Sequence, residues 1–196
     1  MLKFELSISN IQTFSKKFSN RLLLEEITKL EGIGYSLTCF GASNNYQLIS
    51  DFDDTIKENL LKFGAEEYPF TPNCNESIDY DFSLSVSGSN AVFEIEKANK
   101  EKLLYDFLKM HIYLESGADV AVLICPHNWA HSKGTYDLFS LAKERFTLCE
   151  RYGMLNEKFI NNMLIVGFTQ TYRGKVLDKK LLLDIKSKCK LHFDSQ

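Results

Sequence analysis

Between Ile78 and Asn99 the chain reads IDYDFSLSVSGSNAVFEIEKAN, two alternating runs about a central Ser-Gly-Ser-Asn. In the first, Phe82, Leu84 and Val86 alternate with Asp81, Ser83 and Ser85; in the second, Phe93 and Ile95 alternate with Val92, Glu94 and Glu96. Strand side chains project to two faces in turn, so this spacing predicts a β-hairpin. A turn centred on Gly88-Ser89 sets Val86 opposite Ala91, Leu84 opposite Phe93 and Phe82 opposite Ile95. The same register sets Ser83 opposite Glu94 and Asp81 opposite Glu96. One face is then apolar, and the other gathers three carboxylates.

Like charges on neighbouring cross-strand positions repel by roughly 0.2–1 kcal/mol per pair, so the acidic face needs a reason. A divalent cation supplies one. Mg²⁺ takes one or two carboxylates and completes its shell with water and substrate phosphate, which points to a phosphodiester-cleaving centre. Without metal, at least one of the carboxyls is expected to titrate high, because adjacent anions disfavour a second charge. The competing expectation is a solvent-facing hairpin that is merely acidic.

The stretch from Ile78 to Pro126 resembles the core of the PD-(D/E)xK superfamily, the restriction-endonuclease-like nucleases. Those proteins carry an Asp on one hairpin strand and a (D/E)-x-K element on the next, matched here by Asp81 (Asp79 the alternate) and Glu94-Ile95-Glu96. The following NKEKLLYDFLKMHIYLESGADVAVLICP resembles the helix and strand that come next in type II restriction enzymes. The resemblance implies an α/β fold with a restriction-endonuclease-like mixed central sheet flanked by helices on both faces. It also implies a Mg²⁺-dependent type II restriction endonuclease that cleaves double-stranded DNA as a homodimer. Asp81, Glu94, the Ile95 backbone carbonyl and Glu96 would hold metal. Glu96 stands where the family usually has lysine, and would bind a second ion or act as base on the attacking water. Lys97 is next door, but strand alternation turns it away from the carboxylate face. Lys97, Lys100 and Lys102 are the candidate DNA contacts near the motif.

A rival motif lies at YQLISDFDDTI, from Tyr46 to Ile56, which resembles the first motif of haloacid dehalogenase-type phosphatases, with Asp51 as nucleophile and Asp53 as acid/base. That chemistry also needs an acidic pair after another buried strand, and neither VAVLICPHN nor MLIVGFTQTY ends in one. The bland alternative is an Asp-rich loop in which Asp53 or Asp54 caps a helix over 55–63. A repair or recombination nuclease of the same fold is a further reading. His127 and His131 have the spacing of a metal pair, but a loop after Pro126 does not enforce helical facing.

The remaining pattern predicts a short N-terminal strand in FELSIS and helices over 14–30, 100–114, 136–152 and 181–189. Fully apolar runs at 118–125 and 163–168 read as buried strands. Strands separated by long helices argue for one α/β domain over 1–196, with its core at 78–126 plus 163–168. The five cysteines fall without paired spacing, which excludes a zinc or disulfide framework from the reading and fits a reducing cytoplasm. No run is long enough to span a membrane. A net charge of −3 is unusual for a protein that grips phosphates, so basic side chains must be segregated if DNA is the partner. KANKEK and KVLDKK…KSKCK are the basic stretches available, unless they are solvated helix faces.

Overall fold

The computed structural model describes residues 1–42, 45–73, 78–131 and 134–195. Its centre is a mixed sheet built on three parallel strands, β6 (Ser89–Ile95), β7 (Val120–Pro126) and β10 (Met163–Tyr172). On the β10 side the sheet continues antiparallel through β1 (Leu2–Phe14), β2 (Gly34–Ala42) and β3 (Asn45–Ser50). On the β6 side it ends in β5 (Phe82–Val86) and β4 (Glu66–Glu67), both antiparallel. A short β11 (Lys175–Val176) folds back on β10, and β8 (Trp129–His131) pairs with β9 (Gly134–Tyr136) as a separate ribbon.

Helices cover both faces. Strand β7 shows why: Val120, Val122 and Ile124 belong to one hydrophobic cluster, and Ala121, Leu123 and Cys125 to the other. A strand with no polar face must be sandwiched. The first cluster packs under α1 (Arg21–Thr28), α2 (Phe52–Lys62) and α6 (Lys179–Asp194), through Leu23, Ile27, Phe52, Ile56 and Ile185. The second packs under α3 (Leu103–Glu115), α4 (Leu138–Arg151) and α5 (Glu157–Asn162), through Phe107, Met110, Phe139, Phe146 and Phe159. The α/β class read from the sequence is therefore observed. No helix among the described residues is long and apolar enough to cross a membrane.

Several local expectations change. The β5–β6 hairpin pairs Phe82 with Phe93 and Leu84 with Ala91, two residues out of the predicted register. Its turn is Ser87-Gly88, both with positive φ (49° and 81°), the pair of conformations a type I′ turn requires. A shift of two leaves every side chain on its face but brings Asp81 beside Glu94 rather than Glu96. The helix expected over 14–30 is only α1: Phe14 closes β1, and the Asn20 side chain accepts from Leu23 N at 3.0 Å to begin the helix. In α2 the cap position belongs to Asp51, with Asp53 and Asp54 in the first turn. The β2–β3 hairpin has no counterpart in the sequence reading.

Candidate active site at the end of strand β6

The acidic face of the hairpin is not solvated. Glu94 is 1 % exposed and Glu96 6 %, because α3 lies across them. This removes the solvent-facing acidic hairpin from consideration. It also means each carboxylate must find partners inside the protein, and α3 provides them. Lys102, Asp106, Lys109 and Tyr113 recur at helical spacing and form a polar stripe facing β6 on an otherwise apolar helix.

Glu94 is held at Oε1 by the buried Lys109 ammonium, and the Tyr113 hydroxyl donates to the same oxygen at 2.7 Å. The Tyr113 hydroxyl also lies 2.9 Å from the carbonyl of Asp79, so its single proton is shared and the hydrogen-bonded chain reaches the strand of the first aspartate. Burial pushes the Glu94 carboxyl upward; Lys109 and Tyr113 oppose that, and Asp81 adds to it. The Tyr113 hydroxyl is raised too, by burial and then by Glu94. Glu96 Oε1 accepts from the amides of Ala98 (3.0 Å) and Asn99 (2.8 Å), and Oε2 lies 3.4 Å from Lys102. Asp106 is fully buried and, among the described residues, neither of its oxygens has a hydrogen-bond donor; Lys102 lies 3.5 Å away. Burial lifts its carboxyl to about 7, with Glu94 and Glu96 adding and the two lysines subtracting. Of the three hairpin carboxyls expected to crowd one another, Glu94 is the one raised, with burial as the leading cause and the Asp81 charge a minor one.

Asp81 stands at the rim, exposed, its Oδ2 accepting from the Ile95 amide at 2.6 Å. In an extended strand the N–H and C=O of one residue share an edge, so the Ile95 carbonyl lies on the side where Asp81 sits. Asp79 offers the site its backbone carbonyl, while its side chain is exposed. Lys97 does point away from the glutamates, as alternation predicts: both Asp53 oxygens accept from its ammonium at 2.7 Å. Burial raises Asp53; Lys97 pulls it back and Asp81 adds a little. Asp81 thus joins two ion-paired groups, Glu94–Lys109 on the α3 side and Asp53–Lys97 on the α2 side.

Lys102 is committed inward to Glu96 and Asp106, whereas Lys100 is exposed, 3.8 Å from Glu101. Of the three lysines singled out near the motif, Lys100 alone is paired with none of Asp53, Glu96 and Asp106. Lys109 and Tyr113 were missed. The signal for them is the polar stripe of α3, visible as Lys102-x3-Asp106-x2-Lys109-x3-Tyr113.

Among the described residues no group of three His, Cys, Asp or Glu side chains stands ready to hold a metal ion. Asp81, Glu94 and Glu96 share a face, but Glu96 is drawn off to the 98–99 amides and Lys102. What remains is Asp81 and Glu94 with the Ile95 carbonyl on the same edge. Two carboxylates and a carbonyl are the hard oxygen donors that Mg²⁺ takes alongside waters and substrate phosphate. His127 is turned inward against Phe139, with Nδ1 3.5 Å from Asp137 and burial lowering its pKa. The side chain of His131 lies outside the described residues. Asp51 accepts from the Ser36 amide at 2.6 Å and closes the edge strand β3.

Compared with known protein families and with curated proteins, the chain matches no family model and has no match among the curated sequences.

Proposed function

We propose that this chain is a Mg²⁺-dependent endodeoxyribonuclease of restriction-endonuclease-like fold, and within that class a type II restriction endonuclease working as a cytoplasmic homodimer on double-stranded DNA. The observation that carries the reading is the Asp81–Glu94–Lys109 constellation at the C-terminal end of a central parallel strand. Support at the level of topology comes from the order hairpin, helix, parallel strand (β5, β6, α3, β7), with the acidic residues at the end of β6.

Asp81, Glu94 and the Ile95 carbonyl would hold Mg²⁺, which when bound lowers the pKa of a coordinated water and neutralises charge developing on phosphate. The chain's own groups do the rest. Lys109 favours the ionised form of Glu94 against its burial and supplies a positive charge beside a motif that here has Glu96 in place of the family's lysine. Tyr113 fixes the Glu94 carboxylate by donating to the oxygen that Lys109 also holds. Glu96 would act as base on the attacking water only through Oε2, which Lys102 approaches at 3.4 Å, its other oxygen being anchored by two amides. An anchored base loses little freedom on reaction. A homodimer brings one such site to each strand of a two-fold symmetric target.

The test is plasmid DNA with and without Mg²⁺, beside a generic phosphomonoester. Discrete bands that need Mg²⁺ are expected. A smear would point to a nonspecific or repair nuclease, and phosphate release alone would favour the Asp51/Asp53 phosphatase. Plasmid left intact with Mg²⁺ would sink the nuclease reading.

A further inference from the structure

Helix α3 turns Lys102, Asp106, Lys109 and Tyr113 toward β6, and its other side looks outward. There Leu104, Tyr105 and Leu108 are exposed, and the half-buried Ile112 continues the row. The end of α4 and the turn after it lie alongside, with Leu148, Tyr152 and Met154 exposed as well. Arg145 of α4 donates to the Lys100 carbonyl and ties the two helices together. Fourteen large hydrophobic side chains are exposed among the described residues, and these two stretches supply six of them, each between 49 % and 72 % exposed.

Magnitude sets this face apart from scattered surface leucines. A whole side chain of this size offers on the order of 200 Å², so the six together present roughly 700 Å² of apolar surface. The largest patch on an ordinary monomer is about 300–600 Å², and a stable interface takes about 800 Å² from each partner. The outward positions of α3 also carry no Asp, Glu, Lys or Arg from Leu104 through Ile112. Helix α6 shows what a solvated face looks like in the same chain, with Lys179, Lys180, Asp184 and Lys190 outward.

Shape selects the occupant. Leu104, Phe107, Leu108, Met154 and Leu155 line a hollow of about 200 Å³ between the two stretches. Small-molecule sites begin near ~300 Å³, so this one fits an inserted side chain better than a ligand. Tyr152 and Met154, the most exposed of the six, stand beside it as knobs. A surface that carries both hollow and knobs complements itself about a two-fold axis. The ridge of α3 does the same, because Leu104, Leu108 and Ile112 recur every four residues, the row that packs into the matching row of a second helix.

We propose that this face is a homodimer interface, in which α3 packs antiparallel on α3 of a second copy, with Leu108 at the two-fold axis and Leu104 of one protomer toward the partner's Ile112. The choice of a second copy rests on the homodimeric reading above, and this face is where that dimer forms. Two such faces bury roughly 1,400 Å², inside the range of about 1,200–2,000 Å² for specific interfaces. The inner side of the same helix holds Lys109 and Tyr113 on Glu94, so the interface backs directly onto the acidic site.

Sedimentation equilibrium of the full chain, without DNA or metal, should give twice the mass of one chain. Leu108→Glu sets two like charges face to face on the axis and should weaken the dimer at least about 100-fold. Leu108→Lys should do the same. Mixed one to one, the two variants should regain the dimer, because only a residue on the axis meets its own copy. Leu183→Glu, on α6 and similarly exposed, should change nothing. Tyr152→Ser replaces the charged variants if they do not fold, and should weaken the dimer at least about 10-fold. A monomeric parent overturns the proposal, as does a dimer untouched by Leu108→Glu or a mixture that stays monomeric. A monomeric parent that binds phosphatidylcholine vesicles, and loses them with Leu108→Glu, gives the face to a membrane and overturns it too. Plasmid cleavage keeps the two readings apart. Cleavage by a monomer removes the interface and leaves the nuclease; a dimer without cleavage removes the nuclease and leaves the interface.

Discussion

Removing Glu94 does two things at once, because the carboxylate proposed to hold a metal is also the partner of Lys109 inside the protein. Glu94→Ala leaves an unpaired ammonium in the interior, and breaking a buried pair from one side costs about 3–5 kcal/mol. Lost cleavage in that variant would be ambiguous. Asp81 is the better probe, being exposed and, among the described residues, bonded through Oδ2 to the Ile95 amide alone. Asp81→Asn keeps an acceptor for that amide and removes the charge; we expect Mg²⁺-dependent cleavage to fall at least about 100-fold, a transition-state effect near 3 kcal/mol, with the thermal midpoint nearly unmoved. Cleavage within a factor of a few of the parent would exclude Asp81 from metal binding. The Glu94–Lys109 pair itself is tested by a double-mutant cycle in urea. Glu94→Gln and Lys109→Met should each destabilise strongly, and the double variant should recover most of the loss. Asp106 tests the electrostatics without touching the proposed ligands. Its carboxyl is lifted from 3.8 to about 7 by burial. Between those values the folded chain holds a proton that the unfolded chain has released. Its contribution is therefore fully present below pH ~4 and is lost as pH rises through ~7. Asp106→Asn should consequently gain more over the parent at pH 8 than at pH 4, by about 2–4 kcal/mol; equal effects at both pH values would contradict the assignment.

At the scale of elements, the hairpin carries the site, and its turn fixes which residues meet. Ser87 and Gly88 both occupy positive φ, so the preferred chemistry is Asn-Gly. Ser87→Asn should stabilise by a few tenths of a kcal/mol, whereas Gly88→Ala should cost about 1–2 kcal/mol, since a Cβ there meets no neighbour yet must adopt a left-handed conformation. Urea titration of both variants checks this, and an unchanged midpoint for Gly88→Ala would argue that the turn is not tight. The same hairpin shows what the sequence could and could not reveal. Alternation fixes faces, so the apolar side of β5 and β6 was legible, and so was the divergence of Lys97 from the glutamates. Alternation does not fix register in steps of two; only the turn geometry does, and Ser-Gly-Ser-Asn allows two centres. Strands β7 and β10 were legible because they are apolar on both faces. Strands β2 and β3 were not, because both mix polar with apolar residues, and β3 lies at the edge of the sheet. Within the site, the carboxylates could be read from spacing along one strand. Lys109 and Tyr113 reach them from a helix, a contact that exists only once α3 is laid across β6.

Across the whole molecule, the difficulty for any phosphate-binding reading is a net charge of −3. The fold answers it by segregation. The lysines nearest the site are drawn inward or into ion pairs, Lys97 by Asp53, Lys102 by Glu96 and Asp106, and Lys109 by Glu94. The basic excess of residues 173–190 instead lies on β11 and α6, where Arg173, Lys175, Lys179 and Lys180 are all exposed. If DNA lies along the sheet end that both regions share, affinity should come mainly from α6 and chemistry from β6. These two contributions separate experimentally. Each lysine on a phosphate releases about one counterion, so Lys179→Ala with Lys180→Ala should lower the slope of log affinity against log salt by about 2. The same double variant should weaken binding similarly for every duplex sequence, because phosphate contacts carry no base information. Cleavage at saturating DNA should be little changed, since neither side chain approaches Glu94. Fluorescence anisotropy over a salt series measures the slope, and single-turnover cleavage measures the chemistry. A salt slope identical to the parent's would place the DNA elsewhere. The acidic site would then need its phosphate contacts from Lys100, or from the bound cation alone.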